Sequence, residues 1–154
     1  MNIFVLDKDP AVAARMMCDK HVVKMILESV QMLCTVARSK GHDDAPYRAT
    51  HANHPCTKWV GHSRRNWEWL IEHTQALCQE YTRRYKKIHK CEAVLQWAKG
   101  LAIALPDTGL TPFALAMPDI YKVKDPVQSY RNYYLGDKSR FAKWKTGNVP
   151  GWWR

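Results

Sequence analysis

The sequence predicts a mainly α-helical single domain, and three observations carry that expectation. Apolar residues recur at three- and four-residue steps over long stretches, two Asp-Pro dipeptides mark helix starts, and only Ile3 to Leu6 reads as extended chain. The 154 residues, 46% hydrophobic and 25% charged, suit one domain spanning 1–154 around one core. The expected architecture is a compact bundle of about four helices with an irregular loop segment and an aromatic, basic C-terminal tail.

Each element has a local cause. Asp9 is expected to cap a helix whose first position is Pro10, and helical periodicity then continues to the Arg38-Ser39-Lys40-Gly41 stop, predicting one long helix. At about 100° per residue, Met16, Val23, Ile26, Leu27, Val30, Leu33, Cys34 and Ala37 share the core-facing stripe. A second, polar stripe holds His21, Lys24, Glu28, Gln31 and Thr35, with Met25 and Met32 at its margins. Gly41 to about Ser63 reads as loop, where Pro55 can open a helical turn through Trp59. Ser63 can cap a second long helix carrying Trp67, Leu70, Ile71, Thr74, Leu77, Cys78, Tyr81 and Tyr85, which ends in a basic run. Cys91 to Leu105 reads as a third helix, broken by Pro106-Asp107-Thr108-Gly109. Asp125-Pro126 opens a last helix through Tyr130, Tyr134 and Phe141 to about Trp144.

Charge narrows the partners. With 24 Lys and Arg against 14 Asp and Glu, the net charge of +10 asks for a polyanion, nucleic acid before an anionic membrane. No stretch approaches the roughly 18 apolar residues of a membrane span. Asp7, Lys8 and Asp9 stand where a signal peptide needs an apolar run, so a cytoplasmic location is expected. Five cysteines, Cys18, Cys34, Cys56, Cys78 and Cys91, with no C-x-x-C pair, read as small buried hydrophobes rather than a disulfide framework.

The polar stripe carries the candidate chemistry. Glu28 lies two turns after His21, about 10 Å along the axis, with Lys24 between them. A carboxylate, an imidazole and an amine on one face can supply an acid or base, a proton carrier or phosphate ligand, and an amine nucleophile. The plainer alternative is a solvated Lys24–Glu28 pair at i,i+4 beside a packed histidine. His51, His54, Cys56 and His62, with Cys18 and His21, have zinc-ligand chemistry, but H-x-x-H-x-C matches no closed four-ligand pattern, so no metal and no cofactor is expected.

Basic and aromatic residues interleave over Trp59 to Trp69, Tyr81 to His89 and Tyr121 to Arg154. Cations there can neutralise phosphates while aromatic faces stack on extruded bases. Candidate DNA contacts are His54, Lys58, Arg64, Arg65, Arg131, Lys143, Trp152 and Trp153. The two C-terminal tryptophans must either dock on the domain or await a partner.

The layout resembles the endonuclease V-type pyrimidine-dimer DNA glycosylases, small basic helical enzymes known from phages. Asp19-Lys20-His21 followed by Glu28 is similar to that family's D-Q-H with a glutamate seven residues after the histidine. Asn53-His54-Pro55 looks like its N-H-P segment, and Glu72 to Tyr85 has the pattern of its next helix. The resemblance implies that the α-amine at the chain start attacks C1′ of the damaged nucleotide to form an imine, with Glu28 assisting sugar opening and strand elimination. Family members expose a threonine, whereas Asn2 here disfavours removal of Met1, so the amine would be that of Met1; Leu27 replaces the arginine before the glutamate.

The expected function is therefore a DNA N-glycosylase, with or without abasic-site lyase activity, that acts on duplex DNA as a monomer, in the host cytoplasm if phage-encoded. Glu28 is the candidate acid/base, Met1 or Lys24 the candidate nucleophile with water as the third possibility, and His21, Arg64 and Arg65 the phosphate or substrate contacts. Two alternatives stay open on sequence alone: a base- or nucleotide-modifying enzyme on the same scaffold, and a non-enzymatic DNA-binding protein.

Overall fold

Asp9 does begin a helix: its carboxylate accepts from the amides of Ala11 (2.9 Å) and Val12 (3.0 Å), and Pro10 occupies the first turn, where its missing N–H has no cost. The computed structural model describes residues 1–154 and is all-helical, with six α-helices and no strand. These are α1 (Pro10–Met16), α2 (Asp19–Ser39), α3 (Pro55–His62), α4 (Arg64–Tyr85), α5 (Glu92–Lys99) and α6 (Pro126–Tyr133).

The expected count of about four is thus corrected to six, because the single helix from Asp9 is two and the turn expected at Pro55 is a helix of its own. Met17 and Cys18 are extended, with ψ of 141° and 160°. The groups freed by this break are satisfied from far along the chain. Arg84 donates to the carbonyls of Met17 (2.8 Å) and Arg15 (3.1 Å), Trp144 Nε1 donates to Met16 O (3.1 Å), and the Asp19 amide donates to Lys143 O (2.8 Å). Tertiary hydrogen bonding overrides a sequence whose local propensity is continuous helix.

The turn at Pro55 grows into a full helix, α3, with His54 Nδ1 accepting from the Cys56 amide at 3.1 Å. Ser63 caps α4 by accepting from the Asn66 amide at 3.0 Å, as its sequence position suggests. Two expected helices are shorter than their patterns. α5 stops at Lys99 rather than Leu105, and the following chain to Met117 runs without regular structure. α6 ends at Tyr133 and passes into a five-residue π-turn, Tyr134–Lys138, instead of continuing to Trp144. Gly136 sits in that turn with the Tyr121 ring where a Cβ would be, so a side chain there would expel the ring.

α4 packs against α1, α2, α3 and α5. Around it one apolar cluster gathers Leu6, Ile26, Leu33, Trp69, Leu70, Leu77, Leu95 and Tyr130, all fully buried. Asn2 to Leu6 run through this core without regular structure, and the stretch expected to be extended is turned at Phe4, whose φ is 58°, with the Leu6 amide donating back to Phe4 O at 2.9 Å. Trp152 and Trp153 dock on the domain beside Tyr134 and Trp144, and all five cysteines are buried and unpaired. No helix is long and apolar enough to cross a membrane.

Candidate active site

The buried start of the chain fixes the site. Asn2 is the organising residue: its Oδ1 accepts from the amides of Ile3 (2.7 Å) and Phe4 (3.1 Å), and its Nδ2 donates to Ala116 O at 2.8 Å. Its own amide donates to Glu28 Oε1 at 3.0 Å. The α-amine of Met1 lies 3.4 Å from the same oxygen. Met1 is half-buried while its side chain is only 2% exposed, so what solvent reaches on this residue is its main-chain end. Glu28 Oε2 faces Lys24 Nζ at 3.8 Å, and that lysine is 65% exposed. One carboxylate therefore addresses two amines, one anchored by the core and one free on the surface.

The polar stripe of α2 is more covered than its composition suggests. His21 and Glu28 are buried under the N-terminal strap and the C-terminal segment, and Thr35 under the loop at Thr50, to which it is hydrogen-bonded, whereas Val23, placed in the core-facing stripe by its spacing, is exposed. His21 is stacked on Phe4 at 4.4 Å and meets Tyr134 and Phe141 edge-on. Its Nδ1 is 2.6 Å from the Tyr134 hydroxyl. Burial, and then the cations Lys138, Lys24 and Lys20, lower its pKa to about 3, so the ring is neutral at physiological pH. Phe4 reaches His21 from a backbone φ of 58°, a conformation that costs a bulky side chain on the order of 1–3 kcal/mol.

His54 sits where α3 begins and feels the same centre. Burial lowers its pKa first, then repulsion from the Met1 amine and from His51, while Glu28 pulls the other way. Beneath, the Cys56 thiol is pushed up to about 11 by burial, which excludes a thiolate nucleophile near neutral pH. The histidines and cysteines noted for zinc chemistry do not come together as a group that could hold a metal ion.

The remaining candidate DNA contacts separate into two kinds. Lys58, Arg64 and Lys143 are exposed. Arg65 pairs with Glu72 at 3.2 Å. Arg131 donates to Leu6 O at 3.0 Å, lies 3.4 Å from Asp7 and covers the Trp152 ring at 5.5 Å, so its guanidinium is engaged within the protein. Trp152 and Trp153 are packed against the core.

Four residues that complete the surroundings were not singled out as site residues from the sequence: Asn2, Tyr134, Lys138 and Arg140. The two cations belong to the basic C-terminal stretch, but no sequence signal ties them to α2. Asn2 and Tyr134 act through hydrogen bonds that only the folded chain creates.

A family model described as pyrimidine dimer DNA glycosylase matches residues 1–93. No curated protein and no solved structure gives a significant match. The matched part holds Met1, Asn2, His21, Lys24, Glu28 and His54, while Ala116, Tyr134, Lys138 and Arg140 come from the chain beyond it. Since the match spans 93 of 154 residues, the chain belongs to the pyrimidine dimer DNA glycosylase family and is an enzyme of DNA glycosylase type acting on DNA.

Proposed function

We propose that this protein, working as one domain over residues 1–154, excises a damaged or modified pyrimidine from duplex DNA, with the Met1 amine as nucleophile and Glu28 as acid and base. The observation that carries this is the 3.4 Å approach of the α-amine to Glu28 Oε1, held from the other side by the Asn2 amide. Attack requires an unprotonated amine, and Glu28 is within reach to accept its proton. As the amine nitrogen bonds to C1′, the glycosidic bond breaks and the base leaves with its electron pair. Glu28 then returns a proton to the ring oxygen as the sugar opens to an imine. Removal of a C2′ proton from that imine expels the 3′ phosphate, which is the lyase step.

The DNA contacts fall to groups not spent within the protein. Lys58, Arg64 and Lys143 neutralise phosphates, with His21 as a neutral donor nearby. Arg65, Arg131, Trp152 and Trp153 support the surface that meets the duplex. A pyrimidine dimer is the first substrate to offer, since the family is described by it.

Borohydride trapping on duplex oligonucleotides tests the assignment. The wild-type chain should crosslink to dimer-containing duplex; acetylating or extending the N-terminus should abolish the adduct, and Lys24→Met should retain it. The reverse pattern makes Lys24 the nucleophile. Base release with no adduct under any condition points to water activated by Glu28.

A further inference from the structure

Beside the amine and Glu28, and across Lys24 from them, lies a depression of about 480 Å³ lined by Lys20, His21, Lys24, Lys138, Arg140 and Phe141. It joins two parts of the chain far apart in sequence: the first turns of α2 and the segment after α6. Four cations and no carboxylate line it. Lys138 is held there by its apolar stem and by the faces of Tyr133 (4.5 Å) and Phe4 (5.8 Å), with Asp137 3.3 Å from its ammonium group. Such a surface suits a compact anion rich in acceptors.

At its floor is a ring that carries no charge. We propose that this depression is a binding site for a phosphodiester of the substrate strand, in which Tyr134 holds His21 in the tautomer that presents Nε2–H to the phosphate. Tyr134 is fully buried, and its hydroxyl receives the Cys18 amide at 3.4 Å. The hydroxyl has one proton and two acceptors within reach: His21 Nδ1 at 2.6 Å and the poorly accepting Cys18 Sγ at 3.6 Å. The short contact takes the proton, so Nδ1 accepts and the ring's own proton rests on Nε2. Nδ1 is the ring nitrogen bonded within the protein, which leaves the Nε2 edge for the depression.

The groups facing the ring all favour its neutral form. Lys20, Lys24 and Lys138 repel a second proton, burial does the same, and the Tyr134 hydroxyl is pushed far above its ordinary range by burial and remains a donor. A neutral donor flanked by cations binds phosphate over the whole range in which the phosphodiester is ionised. A histidinium there would instead release the DNA as pH rises. Tyr134 is thus a positioning residue, acting through His21.

The assignment rests on duplex DNA as substrate, so the decisive measurement is made without DNA. Long-range proton–nitrogen spectra of the full chain at pH 7 should show His21 protonated on Nε2 alone, and Tyr134→Phe should shift the ring toward Nδ1–H or a mixture. A wild-type ring protonated on Nδ1 overturns the proposal. Duplex affinity should fall about tenfold in Tyr134→Phe, the effect of one misplaced hydrogen bond to a charged group. His21→Gln, which offers a neutral donor without tautomers, should keep affinity within a few-fold where His21→Leu loses at least tenfold. In the His21→Gln background, adding Tyr134→Phe should change nothing further, whereas a merely structural tyrosine would cost the same again and refute the role. If Tyr134→Phe does not fold, the Gln and Leu pair decides: equal loss in both overturns the donor. Titration with inorganic phosphate separates the ligand sources. Strand phosphate is supported if Lys138→Met and Arg140→Met each weaken duplex binding, and refuted if they weaken only inorganic phosphate binding. Failure of imine trapping with intact spectra and DNA binding would fall on the glycosylase mechanism and not on this site.

Discussion

The amide of Asn2 and the carboxylate of Glu28 are hydrogen-bonded at 3.0 Å across 26 residues of chain, and the α-amine reaches the same oxygen at 3.4 Å. Glu28 is therefore both the anchor of the chain start and the group that would exchange protons with it. The two roles can be separated, because an amide oxygen can accept the Asn2 N–H as a carboxylate does but cannot take a proton from an amine.

Glu28→Gln should accordingly lower base release by at least 10²- to 10⁴-fold while changing duplex affinity only a few-fold. Single-turnover assays and a binding isotherm on the same oligonucleotide check both halves. Turnover at the parent rate would remove Glu28 from the mechanism.

Asn2→Asp keeps the acceptor for the Ile3 and Phe4 amides, loses the donor to Ala116 O, and sets a second carboxylate beside Glu28. Like charges disfavour each other's ionisation, so the acid limb of the pH–rate profile should move to higher pH, with trapping near pH 6 reduced about tenfold or more. A profile superimposable on that of the parent would show that Asn2 does not control the amine and Glu28.

Two buried histidines set an acid limit on stability. His21 is lowered to about 3 and His73 to about 4, each chiefly by burial, from an ordinary value of 6.5. Below pH 6.5 the unfolded chain takes up protons that the folded rings refuse, so stability falls as pH drops toward 4 and gains nothing from these groups above 6.5. Each ring contributes a slope of up to about 1.4 kcal/mol per pH unit in that window. Urea midpoints at pH 7, 6 and 5 should fall in that order; a rise would contradict it.

Arg84 is a stability residue with no part in the chemistry. Its side chain is 1% exposed, bonded to Glu80 at 2.9 Å and Asp19 at 3.1 Å, and it satisfies the carbonyls where α1 ends. Arg84→Leu takes the side-chain donor from two carbonyls and one partner each from Glu80, which keeps Arg83, and Asp19, which keeps the Lys145 amide, at a cost of about 2–4 kcal/mol by chemical denaturation. A change below about 1 kcal/mol would mean the two freed carbonyls find water.

Duplex affinity should fall steeply with salt, each neutralised phosphate contributing about −0.9 to the slope of log K against log salt. Affinity unchanged between 50 and 200 mM salt, on the order tested for such complexes, would argue against the basic surface as the DNA contact.

What could be read in the sequence follows from how local each cause is. Asp9-Pro10, Ser63 and Asp125-Pro126 announce their helices because a cap and its amides lie within three residues of each other. Lys24 and Glu28 are visible as a pair because one helix carries both. The break at Met17 and Cys18 is invisible, since no proline or glycine marks it and its partners Arg84, Lys143 and Trp144 are 65 or more residues away. Tyr134 reads from its spacing as one more aromatic in a helix running to Trp144. In the folded chain it lies at the start of the π-turn, where its hydroxyl meets His21.

The threading of Asn2 to Leu6 through the core bears on how the enzyme comes into being. Ala116 holds Asn2 across 114 residues of chain, and Arg131 closes over the Leu6 carbonyl across 125. The seat of this segment is thus completed only by residues from Ala116 onward. Contacts of such long sequence separation form late and slowly. The proximity of the Met1 amine and Glu28 is consequently a product of completed folding, and a chain truncated before Ala116 would carry both groups without the contact that seats Asn2 beside them.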